Sequence, residues 1–132
     1  MELTHLRGLV TERIRIGRIW AAEQALRLAR RSQRHDPAQA VHALEVVVVD
    51  LLPDALARQV FGEWARACLR LCRQQGIQAP LRYAPHLGRG AVLAWDEAQQ
   101  AYIVVSALGM GLEWAAGQRV DEAVAQRARP LT

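Results

Sequence analysis

Asp36-Pro-Ala-Gln-Ala-Val-His-Ala-Leu-Glu-Val-Val-Val-Val-Asp-Leu-Leu52 is the most apolar run in the chain, so its neighbours must pack on it or lead away from it. Local chemistry marks its beginning. Asp36 offers a side-chain acceptor to the free N–H groups of a first helical turn, Pro37 has the φ of a first helical residue, and Gln39 completes a capping box. The stretch predicts a helix from the Asp36 cap to about Leu52. The β-branched run Val46–Val49 is also compatible with a buried strand, but the cap and the length favour helix. Being apolar nearly all round, this helix is expected to be central and covered on several sides. His42, Glu45 and Asp50 interrupt it. A buried carboxylate there would need a partner, and Arg30, Arg31 and Arg58 are the nearest candidates in sequence.

Upstream, residues 4–33 read as a helix. Ile14, Gly17, Ala21, Ala25 and Leu28 are expected to line its inner side, widened by Ile19, Ala22, Leu26 and Ala29. Gly8 is a weak point that could split off a short lead-in. Arg15 and Arg18 intrude toward the apolar side, with stems able to lie along it. Downstream, Pro53 disfavours helical geometry at Leu52. A third helix is predicted from about Pro53 to Gln75, with Ala57, Phe61, Trp64, Cys68, Leu71 and Cys72 inward. Gly76-Ile77 supplies a left-handed stop with a hydrophobic clasp.

The character changes at Gln78. Residues 78–90 read as loop, and Ala91–Trp95 and Ala101–Ala107 as two strands around a five-residue turn, Asp96–Gln100. A lone hairpin is unstable in water, so one face must lie on the helices. A last helix takes up part of 112–128, with Trp114, Val120 and Val124 inward. The fold class is therefore mainly α with a small β-hairpin (α+β). It is a single domain over 1–132: a three-helix core (1–77), a loop (78–90), the hairpin (91–107) and a C-terminal helix and tail (108–132).

Composition narrows the function classes. The 132 residues are 52% hydrophobic, so the chain is expected to bury a real core without disulfides or a structural metal. No run approaches the ~20 apolar residues of a membrane span, and no charged-then-apolar leader opens the sequence. The expectation is a cytoplasmic protein with no membrane contact. All 17 basic side chains are arginine, a bias that a high-GC coding sequence explains. Their distribution says more. Residues 1–34 hold eight arginines against Glu2, Glu12 and Glu23, and the remainder of the chain is near balance, so the formal +4 arises in the first quarter.

That asymmetry suggests an acidic partner. Arg13, Arg27, Arg30, Arg31 and Arg34 are the leading candidates to contact phosphates, with Arg66, Arg70 and Arg73 as a second helical stripe. Helix, turn, helix and hairpin is also the order of a winged helix, but Asp96 and Glu97 at the would-be wing tip repel phosphate. Arg82, His86 and Arg89, beside Gly88 and Gly90, form a candidate anion- or ligand-binding loop. Cys68 and Cys72 share a face one helical turn apart and could in principle meet zinc with His86 or His5. Structural zinc sites prefer C-x2-C knuckles, so core packing is the expectation and no metal or other cofactor is assigned. No nucleophile elbow, zinc-protease or paired-acid motif is present. His42 and Glu45 are the one candidate acid–base couple, and a polar seam is the simpler account of them.

The expectation is a non-enzymatic bacterial accessory protein. It binds nucleic acid, or works within a nucleoprotein complex, through its arginine faces. The alternative is a protein–protein adaptor, inhibitor or homodimeric module, anchored by Trp95, Tyr102 or Trp114. A small-molecule site at His86 and Arg89 is a third class.

Overall fold

The computed structural model describes residues 2–49, 52–77, 81–84, 90–108 and 116–131, with side chains from residue 8 onward. Helix α1 (Glu2–Ser32) runs unbroken through Gly8. It is followed by α2 (Pro37–Glu45), α3 (Asp54–Gln74), β1 (Arg82–Ala84), β2 (Ala91–Asp96), β3 (Ala101–Ala107), α4 (Glu122–Arg127) and β4 (Arg129–Pro130). The fold is mainly α with a small antiparallel sheet, and the three long helices form its core with that sheet packed against them.

The start of α2 follows from its sequence. Asp36 is the N-cap, its Oδ1 accepting from the Gln39 N–H at 3.2 Å, with Pro37 at the first position. The reciprocal half of the box is unused, because the Asp36 N–H already donates to the Ser32 carbonyl at 2.7 Å. The helix stops at Glu45, well short of Leu52. Val47–Val49 is neither helix nor strand. A run of β-branched residues weakens a helix, and the strands of the sheet pair with one another rather than with this segment. Asp50 lies outside the described residues. α2 buries Pro37, Ala40, Val41 and Leu44, and packs against α1, α3 and β3.

α3 ends as its residues dictate. Gly76 takes φ +76°, the Ile77 N–H reaches the Cys72 carbonyl at 2.9 Å, and the Gly76 N–H reaches that of Arg73 at 3.1 Å. This pair of bonds satisfies the last carbonyls of the helix. Trp64, Cys68 and Cys72 are buried, Val60 and Ala67 join them, and Ala57, Phe61 and Leu71 pack around the edge.

The sheet has the order β3-β2-β1-β4. The hairpin is present as expected, but β1 lies in what reads as loop, and the tail contributes β4. Residues 117–120 run along the free edge of β3: Gly117 donates to Val104, Val104 to Gln118 and Val120 to Tyr102. α4 then crosses the sheet's outer face and delivers β4 to β1, where the Leu131 N–H meets the Leu81 carbonyl. The strands therefore lie between the helices on one side and the 118–128 strap on the other. Ala84, Ala91, Leu93, Val104 and Val120 form a second small core under the strap. Val120 is buried but extended rather than helical, and Trp114 lies outside the described residues. Because β2 is covered on both faces, the hairpin does not project as a wing. Only its turn, carrying Glu97, is exposed.

A register shift between Val92 and Leu93 leaves Val105 as an extra residue in β3. Residues two apart in a regular strand share a face. Here the bulge puts Val104 in the outer core and turns Ser106 toward the helices.

Candidate functional site

The bulge places Ser106 in a buried polar line at the helix–sheet junction. Trp64 Nε1 donates to Ser106 Oγ at 2.8 Å, and Ser106 Oγ donates to Glu45 Oε1 at 2.7 Å. The other oxygen of Glu45 lies 3.5 Å from His42 Nδ1 at the surface. The order is hydroxyl, carboxylate, imidazole, so the imidazole cannot take the hydroxyl proton as a general base would. Ser106 is 1% exposed. The line satisfies the indole N–H that a buried tryptophan brings with it. Among the described residues Glu45 thus finds its partners in Ser106 and His42, and not in an arginine.

Cys68 and Cys72 are free thiols in the same core. Among the described residues no third His, Cys, Asp or Glu joins them in a metal-holding group. Burial pushes Cys68 far above the ordinary thiol range, aided by Cys72 and Glu45 and opposed by the Ser106 hydrogen bond. Burial alone pushes Cys72 up to about 11. A thiol whose folded value is raised favours the folded state below its unfolded value, near 9.0, and loses that advantage as pH rises toward the folded one. Tyr83 acts with the same sign, since burial raises it too. Thermal stability is therefore expected to fall between pH 9 and 11. Both cysteines should stay unreactive toward thiol reagents at pH 8 until the protein is unfolded. Fast labelling of the native protein would contradict their burial.

The arginine faces come out differently from their sequence pattern. Glu63 is 8% exposed and gathers three donors. Gln33 Nε2 stands at 2.6 Å, Arg66 Nη2 at 3.0 Å and Arg30 Nε at 3.5 Å. Arg30 and Arg66, from α1 and α3, therefore meet on one carboxylate and help to hold the two helices together. Arg13, Arg27, Arg31, Arg34, Arg70 and Arg73 are exposed, and none has a carboxylate partner among the described residues. Asp54 and Arg58 line one shallow groove without closing an ion pair.

Of the candidate ligand loop, His86 and Arg89 lie outside the described residues. Arg82 sits on β1, its Nη1 donating to the Ala125 carbonyl at 3.1 Å and its guanidinium 4.9 Å from the Tyr102 ring. It lines an open groove of about 610 Å³ with Trp95, Tyr102, Arg119, Asp121 and Glu122. Gly90 is accounted for without an anion. At φ +151°, a Cβ there would lie 2.7 Å from the Tyr83 hydroxyl, so the ring itself requires the glycine.

Sequence periodicity missed the exposed apolar side of α1. Ala22, Leu26 and Ala29 are buried in α1, with Ile19 and Ala25 packed beside them. Leu9, Val10, Ile14, Ile16 and Trp20 are exposed, Trp20 at 64%. At 3.6 residues per turn, Leu9, Ile16 and Trp20 share a line with Arg13, Arg27 and Arg31, about 150° around the helix from the buried line. Ile14, Gly17 and Ala21, expected inside, are outside as well. The signal was available in the spacing. The apolar positions of α1 form two stripes on different sides, which a single inner face had merged. Among the described residues no helix is long and apolar enough to cross a membrane. Compared with protein-family models, curated proteins and solved structures, the chain finds no significant match.

Proposed function

We propose that the protein is a non-enzymatic interaction module that engages a protein partner through the outward face of α1. The observation that carries this reading is the exposed line Leu9, Ile16 and Trp20, flanked by Val10 and Ile14, on a helix that enters the core only from Ile19 onward and is exposed all round over residues 8–17. Contiguous apolar surface of this kind marks interaction sites, and a tryptophan among arginines is the composition of an interface anchor.

A photo-crosslinking amino acid in place of Trp20, in cells that express the protein, tests it. Discrete protein adducts are expected from position 20 and none from position 73 on α3. Equal or absent labelling at the two positions would remove the proposal.

A second reading keeps nucleic acid as the partner. It is supported by Arg13, Arg27, Arg31 and Arg34, which have no carboxylate partner among the described residues. Arg30 and Arg66 contribute less to it, since Glu63 holds them. Labelled duplex and single strands titrated at low salt should then bind, with affinity falling steeply as salt rises. No binding at about 20 mM salt would end that reading, because counterion release is strongest there.

A further inference from the structure

We infer that the outward face of α1 pairs with the same face of a second copy of this chain, antiparallel and with its two-fold axis near residue 15. This rests on the protein-partner reading and names the partner. Three features favour a copy over other occupants.

The first is symmetry of spacing. Inversion about residue 15 exchanges the two stripes, so Val10 falls level with Trp20 of the other copy, Ile14 with Ile16, Leu9 with Ala21, and Arg13 with the small Gly17. Gly17 itself has no use in the monomer. A Cβ there meets nothing within 4 Å, although glycine weakens a helix interior by about 1 kcal/mol against alanine. Close approach of a second helix gives the missing side chain a purpose.

The second is area. The five exposed apolar side chains leave roughly 500 Å² in water per chain, so pairing can cover at most about 1,000 Å² of them in all, the lower limit of a specific interface. The dimer should therefore be reversible, with a dissociation constant in the micromolar range.

The third is charge and room. A parallel pair would bring Arg27 and Arg31 within about 10 Å of their own copies. Antiparallel pairing about residue 15 separates the two Arg31 positions by about 48 Å and the two Arg27 by about 36 Å along the axis, leaving only the two Arg13, about 6 Å apart along it and each level with Gly17 of the other copy, near one another. Because the core hangs from the other side of α1, neither body obstructs the pairing.

Sedimentation equilibrium of the full chain from about 5 to 500 µM tests the pairing, since an interface of this size implies micromolar association. The wild type should shift reversibly from monomer to dimer. A variant carrying Ile16→Asp and Trp20→Asp should remain monomeric throughout with an unchanged circular dichroism spectrum. Spin labels on Arg31→Cys, with Cys68 and Cys72 buried and unlabelled, should report a separation above about 40 Å in the dimer.

A wild-type monomer at every concentration overturns the inference. So does a dimer that survives the double substitution, or a label separation under about 25 Å. The broader reading fails separately. A monomeric chain that still forms adducts with other proteins at position 20 overturns self-pairing alone, whereas no adduct at that position removes both.

Discussion

Trp64→Ala is expected to lower the stability of the fold by about 4 kcal/mol, as the truncation of the largest fully buried side chain among the described residues. The side chain is fully buried where the helices meet the sheet. It makes edge contacts with Phe61 and Tyr83, at centroid distances of 5.7 and 6.3 Å. Removing it opens a cavity bounded by two layers that cannot both collapse into it. The Ser106 hydroxyl also loses the indole donor while remaining buried. A loss of this size should bring the thermal midpoint down by roughly 10–20 °C, and urea denaturation read with an unchanged m-value measures it directly. A change under about 1.5 kcal/mol would mean that the helix–sheet junction is not the main core. Trp64→Phe separates the two contributions. It keeps most of the volume and drops the hydrogen bond, and should cost about half as much.

Glu63→Ala is expected to cost about 2–3 kcal/mol, the second largest effect. The carboxylate is the common acceptor of Gln33, Arg66 and Arg30, and joins α1 to α3. Its loss strands the Gln33 amide, which is buried, while Arg30 and Arg66 can turn to water. The deficit is therefore smaller than for a fully buried ion pair, where losing one partner costs about 3–5 kcal/mol. Glu63→Gln retains an acceptor and should recover about half of the loss. Equal destabilisation by both substitutions would show that the charge, and not the hydrogen bond to Gln33, is what matters. High salt should narrow the gap between wild type and Glu63→Gln, since the two arginines are half exposed.

What could be read from the residues was what neighbouring residues decide. The Asp36 cap, the Gly76 stop, the inner face of α3 and both hairpin strands follow from side chains within a few positions of one another. What could not be read depends on distant partners. β1 is three residues long in a proline- and glycine-rich stretch, and it is a strand only because β2 and β4 pair with it. The bulge at Val105 decides that Ser106 meets Trp64, yet nothing in Ala101–Ala107 signals it. α2 ends at Glu45 although its apolar pattern continues, because the β-branched run Val46–Val49 weakens a helix.

The same distinction governs the candidate surfaces. Arg30 and Arg66 look like members of two solvated stripes until Glu63 is seen between them. α1 looks like a helix with one broad inner face until the helices around it cover only the side of Ala22, Leu26 and Ala29. Arg13, Arg27, Arg31 and Arg34 keep the exposure that their spacing implied.

The central claim is that the outward face of α1 serves association and not folding. Thermal unfolding at about 1 µM, where a micromolar dimer is largely dissociated, tests it most directly. The protein to compare with wild type carries Leu9→Gln, Ile16→Gln and Trp20→Gln, since glutamine is a good helix former. Midpoints within about 2 °C of each other are expected, as for substitutions away from the core. A drop of about 10 °C or more would contradict it, because these three side chains would then belong to the core.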